Sequence, residues 1–169
     1  CREDCIKGCN IIIGDINGLK LVNDLYGHQQ GDHTLKAMGT VLKQVCRKED
    51  IISRWGGDEF IILLPKTSKE TAEEICHRIN DKCAGHDSLP MELSISLGSA
   101  TKTKMDESIS ELIILADKIM YQNKFEVNRS SHVEALHQII DSLKNTDIKN
   151  TLKENFQLDS TDYNYLLKI

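Results

Sequence analysis

No stretch of this chain is apolar for long enough to cross a bilayer, and no signal-peptide pattern is visible. Internal repeats and low-complexity tracts are also missing, so the 169 residues read as one domain plus an appendage. There is no basic excess either: 21 Lys+Arg against 26 Asp+Glu leave a net charge of −5. That balance argues against a nucleic-acid polymer or an anionic membrane as the main partner, while a nucleotide needs only local positive groups. Met is missing from position 1, and we read the chain as a segment of a longer protein. Six cysteines are present, but nothing else marks a secreted chain, so all are expected reduced and the protein cytoplasmic. Cys46, Cys76 and Cys83 fall on apolar faces of expected helices. Cys1, Cys5 and Cys9 would share a helix face, with no fourth metal ligand evident.

What the chain does have is centred on Arg54-Trp55-Gly56-Gly57-Asp58-Glu59-Phe60, set between the apolar runs Ile51-Ile52 and Ile61–Leu64. Paired glycines between β-formers predict a tight hairpin, because glycine reaches positive φ without a Cβ penalty. The two acids then open a strand that is otherwise apolar on both faces. Carboxylates at the rim of a buried strand take either solvent, as an ordinary acidic turn, or a charged partner such as a divalent cation.

Along the chain, Cys9–Ile13 predicts a first strand ending near Asp15, followed by a turn-rich loop through Gly18, Asn23-Asp24 and Gly27. A helix is expected over 33–47 from Leu35, Met38, Leu42 and Val45, with Asp32 available as its N-cap. Strands at 51–55 and 59–64 follow, the second closed by Pro65. Thr67-Ser68-Lys69-Glu70 reads as a capping box opening a helix that buries Ala72, Ile75, Ile79 and Cys83 and ends at Gly85. Leu93–Leu97 alternates as a strand. Ser108 with Glu111 caps a last core helix carrying Leu112, Ala116, Ile119 and Met120.

This order is a ferredoxin-like βαββαβ core in an α+β fold, a central antiparallel sheet with flanking helices. Right-handed crossovers place the first and third strands side by side at its centre. Asp15 then lies beside Asp58 and Glu59, and three carboxylates at one sheet edge favour a hard cation, Mg²⁺ or Mn²⁺.

Gly56-Gly57-Asp58-Glu59-Phe60 resembles the signature of the bacterial GGDEF diguanylate cyclases. The run Asp15-Ile16-Asn17-Gly18-Leu19-Lys20, with Asn23-Asp24, Gly27-His28 and Gly31-Asp32, resembles that family's first signature. The resemblance covers roughly residues 9–128. It implies a nucleotide-cyclase-like fold and condensation of two GTP into cyclic di-GMP with release of pyrophosphate, by two-metal phosphoryl transfer across a homodimer. It further implies that Asp15, the carbonyl of Ile16, Asp58 and Glu59 hold the metals, with Glu59 alternatively helping to deprotonate the attacking hydroxyl. Asn23 and Asp32 would read the guanine edge and His28 shape the pocket; amides around Gly18, Leu19 and Lys20 would cradle phosphates. Lys20 would stabilise the reacting phosphoryl group and Lys124 contact the terminal phosphates. Arg47 and Asp50 match the family's RxxD inhibitory product site.

The chain departs from the family pattern in several places. The segment the family usually carries before its first strand is absent, so residues 1–129 are read as a GGDEF domain lacking its N-terminal part. Asn17 stands where an Asp is common, Leu19 where Phe is usual, and Asn128 where an Arg is usual. Residues 130–169 are read as a helical extension or linker, resembling the connector before an HD-GYP domain, with apolar stripes at Val133, Leu136, Ile140 and Leu143 and at Tyr163, Leu166 and Leu167. Two functions are therefore expected: an active diguanylate cyclase, or a silent module that binds GTP or cyclic di-GMP and regulates a neighbour.

Overall fold

The computed structural model describes residues 8–85, 89–103 and 106–145, with residues 128–145 described by backbone alone. The chain divides into the units Cys1–Val127 and Asn128–Ile169; the architecture below is that of the first. Its elements are β1 (Asn10–Ile16), α1 (Leu19–Tyr26), α2 (His28–Val45), β2 (Ile51–Arg54), β3 (Glu59–Leu64), α3 (Lys69–Ala84), β4 (Ile95–Thr101) and α4 (Ile109–Asn145). Four antiparallel strands lie in the order β2-β3-β1-β4. The fold is α+β, and β1 and β3 are central neighbours as the crossover rule requires.

Helices cover both faces of the sheet, which is why all seven residues of β1 are buried. On one face Ile12, Ile16, Phe60, Ile62 and Leu64 meet Leu19 of α1, Met38 and Leu42 of α2, and Ile75 and Ile79 of α3. On the other, Ile11, Ile13 and Ala100 meet Leu112, Ala116 and Met120 of α4. The approach of α4 depends on Gly98: a Cβ there would run into the backbone of Ala116 and Met120. β2 is the exposed edge strand.

The structure departs from the sequence-based expectations in several places. The loop expected after β1 holds a helix, α1, and α2 starts at His28 rather than His33, so Asp32 lies inside α2 and is not its N-cap. Gly27 alone separates the two helices, at φ 83. Ser68, not Thr67, is the N-cap of α3, accepting from the Thr71 amide, while the Thr67 hydroxyl donates to the Pro65 carbonyl. β4 begins at Ile95 and runs on to Thr101. The box at α4 forms as expected: the Ser108 amide donates to Glu111 and the Glu111 amide to the Ser108 hydroxyl. Cys9 lies at the entry to β1 and not on a helix, while Cys1 and Cys5 fall outside the described residues. The helix expected from His132 belongs to the backbone of α4; its side chains, and the segment around Asp159, fall outside the described residues.

Cys9, Cys46, Cys76 and Cys83 are free thiols. Burial pushes Cys76 up to about 12 and Cys46 and Cys83 to about 11. They behave as small apolar residues, not nucleophiles.

Among the described residues, no helix is long and apolar enough to cross a membrane.

Candidate nucleotide site

The site begins where β1 and β3 meet. Asp15 pairs with Glu59 across one ladder and with Ser96 across the other, and the Ile16 amide donates to the Asp58 carbonyl at 3.0 Å. Asn17 is held just beyond, donating to Ser94 Oγ at 3.0 Å and accepting from Ser96 Oγ at 2.8 Å. Gly18, at φ 71, turns the chain into α1.

The hairpin between β2 and β3 is closed by Trp55 and Gly56 amides donating to the Glu59 carbonyl. Among the described glycines, positive φ occurs at Gly8, Gly18 and Gly27; neither glycine of the hairpin needs it, contrary to expectation. A Cβ at Gly56 would stand 2.9 Å from Glu59 Oε2 and need only a small shift of that side chain. Arg54 braces the turn, its guanidinium donating to the Gly56 carbonyl at 3.0 Å and the Gly57 carbonyl at 2.6 Å.

An open cleft of about 400 Å³ lies between this hairpin and the paired helices α1 and α2. Leu19, Lys20, Asn23 and Asp24 line it from α1; His28, Gly31, Asp32 and Leu35 from α2; Arg54, Gly57 and Asp58 from the hairpin. The Asn23 amide lies directly over Gly31, where any Cβ would displace it. Helix pairing thus brings the Asn23 amide and the Asp24 and Asp32 carboxylates to the same space.

Other candidates lie elsewhere. Successive strand residues point to opposite faces, so Asp15 and Glu59 face the α4 side while Asp58 faces the cleft. Glu59 lines a separate cavity of about 220 Å³ with Trp55, Ile113, Ile114 and Asp117. Asp15, only 10% exposed in its side chain, accepts from Lys124 Nζ at 2.7 Å. Among the described residues no three His, Cys, Asp or Glu side chains come together to hold a metal ion. The three carboxylates share one end of the sheet but do not form the ready-made cluster expected from the sequence, because strand alternation divides them and Lys124 takes one.

The donors nonetheless suit a hard cation. They are all oxygen, Mg²⁺ commonly uses one or two carboxylates with substrate phosphates, and a positive group already stands against Asp15.

Arg47 and Asp50 sit in the turn between α2 and β2, beside a second cleft of about 450 Å³ lined also by Lys43, Cys46, Lys48 and Ile52. Asp50 Oδ2 accepts from the Arg47 amide at 2.6 Å, and the Arg47 side chain is exposed. This cleft shares no lining residue with the first.

Sequence reasoning did not assign Asp24, Gly31, Leu35, Arg54 and Gly57 to the first cleft. The signal for Arg54 was a cation one residue ahead of two glycines and two acids.

The family model for the diguanylate cyclase GGDEF domain matches residues 6–130. The chain belongs to the GGDEF family. It is 37% identical to diguanylate cyclase DgcM of Escherichia coli over 117 residues, covering 68% of this chain and 28% of the relative. It is 33% identical to diguanylate cyclase A of Treponema denticola, covering 68% and 32%. The chain thus spans about a third of the length of these curated relatives. Among solved structures, the active GGEEF domain of a diguanylate cyclase from Vibrio cholerae superimposes with a TM-score of 0.67 at 28% identity, covering 71% of this chain and 78% of that one.

Proposed function

We propose that this GGDEF domain condenses two GTP molecules into cyclic di-GMP, one nucleotide being held by each of two domains. The observation that carries the proposal is the cleft itself: Lys20, Asn23, His28, Asp32 and Asp58, from three separate segments, line one cavity. Two diguanylate cyclases among the relatives support it.

The residues divide the work by their chemistry. The Asp32 carboxylate, an acceptor only, suits the N1–H and N2–H₂ of guanine; the Asn23 amide offers both donor and acceptor to the same edge. His28 walls the pocket, and the amides after Gly18 face the phosphates. Lys20, exposed at the mouth, adds positive charge at the reacting phosphoryl group. The 3′-oxygen of one GTP attacks the α-phosphorus of the other, the α–β bridge breaks, and pyrophosphate leaves. Glu59 would either take the 3′-hydroxyl proton or join the metal ligands. Mg²⁺ or Mn²⁺, held by Asp15, Asp58, Glu59 and the Ile16 carbonyl, would when bound neutralise charge on the attacking and leaving oxygens. A second attack closes the ring, so two domains must face each other.

A second reading, a silent module that binds the nucleotide without turnover, is favoured by the Lys124 ammonium already held on Asp15.

Base choice tests the cleft. Losing a paired contact to a buried edge costs about 10²-fold or more in discrimination. Calorimetry should therefore find GTP bound at least about 10²-fold more tightly than ATP. Equal affinities would contradict the assignment.

A further inference from the structure

Lys124 and Asp15 form an ion pair across 109 positions of sequence. The carboxylate is nearly buried, the lysine side chain 31% exposed. A carboxylate withdrawn from water needs a positive partner, and here the ammonium is that partner. Its Nζ stands 2.7 Å from Oδ1, one of the two oxygens that a hard cation could use. The positive charge of the ammonium opposes the approach of a second cation to the same carboxylate.

We propose that Lys124 is a charge placeholder: it neutralises Asp15 in the nucleotide-free protein and gives way when metal arrives together with a triphosphate. The proposal rests on the reading of Asp15 as a metal ligand given above. A free divalent ion must break the 2.7 Å pair and leave the ammonium without its anion. A metal–triphosphate complex displaces the same ammonium but brings phosphate oxygens that accept from it. Lys124 therefore opposes binding of free metal and favours binding of metal with nucleotide, which makes the two ligands cooperative. Metal enters with GTP rather than before it. The Lys124 side chain, 31% exposed, has room to move its head from one anion to the other.

The test is the uptake of Mn²⁺, read from the paramagnetic resonance of the free ion, by the whole chain without nucleotide and with guanosine 5′-[α,β-methylene]triphosphate, which cannot lose pyrophosphate. Without nucleotide, Lys124→Met and Lys124→Gln should bind Mn²⁺ roughly tenfold or more tightly than wild type, the value of one charge-assisted contact. Lys124→Arg, which keeps the charge, should stay close to wild type. With the analogue, wild type should gain more Mn²⁺ affinity than the neutral variants. Neutral variants that bind Mn²⁺ no more tightly than wild type without nucleotide overturn the placeholder role. Asp15→Asn separates this failure from failure of the metal reading. If it keeps wild-type Mn²⁺ uptake with the analogue, Asp15 is not a ligand and both ideas fall; if it loses uptake, the metal reading stands whatever Lys124 does. The two neutral variants differ in shape and polarity, so misfolding of one, seen by circular dichroism, leaves the other to decide.

Discussion

Asp50 uses one carboxylate oxygen on the Arg47 amide, and the Asp50 amide donates back to the Arg47 carbonyl at 3.2 Å. The pair therefore stabilises its own turn whatever else it does. The Arg47 guanidinium, by contrast, is exposed beside a cleft that also carries Lys43 and Lys48. Three cations around one hollow suit an anionic ligand, and the RxxD resemblance makes cyclic di-GMP the candidate. Arg47→Ala is expected to weaken cyclic di-GMP roughly ten- to hundredfold, the loss of one bidentate charge-assisted contact, while leaving GTP affinity unchanged. Titration of both ligands into wild type and variant, with melting curves alongside, decides it. A lower melting temperature with unchanged product affinity would make Arg47 purely structural.

At the scale of elements, the close seat of α4 on the sheet rests on Gly98, and α4 carries Lys124 to Asp15. Gly98→Val should push the helix off β4, lower stability by about 1–3 kcal/mol and loosen the Lys124–Asp15 pair. Gly39, in the middle of α2, has nothing within 4 Å of a built Cβ. There Gly39→Ala should stabilise by about 0.5–1 kcal/mol. Denaturant melts of the two variants should move in opposite directions, Gly98→Val reporting the packing of α4 and Gly39→Ala the helix preference of α2. The same elements show what the sequence made legible. Hydrophobic spacing identified the four strands, α3 and the capping of α4, because those signals are periodic and local. It missed α1, whose core contribution is only Leu19 and Val22 and whose sequence holds the turn formers Asn23 and Asp24. Most of the cleft residues were legible through the family motif. Arg54 was not, because its role is to grip two carbonyls of its own turn. The Lys124–Asp15 pair was invisible to spacing, since only the tertiary packing of α4 brings the residues together.

For the whole molecule, the motif residues line a cleft of about 400 Å³. On the proposed reading, with one GTP held per domain, activity per mole of protein should rise with protein concentration until the dimer saturates. Rates measured across a dilution series check this; a constant specific activity would mean that one chain suffices. Asp58 is the residue on which the cyclase reading depends most. It lies at the rim between hairpin and cleft, partly exposed, so Asp58→Asn should leave the fold and its melting temperature nearly unchanged. The most direct measurement is incubation of wild type and Asp58→Asn with GTP and Mg²⁺, followed by mass spectrometry for cyclic di-GMP. The account predicts product from wild type and none from the variant. Absence of product from folded wild-type dimer, or equal yields from both proteins, would contradict it.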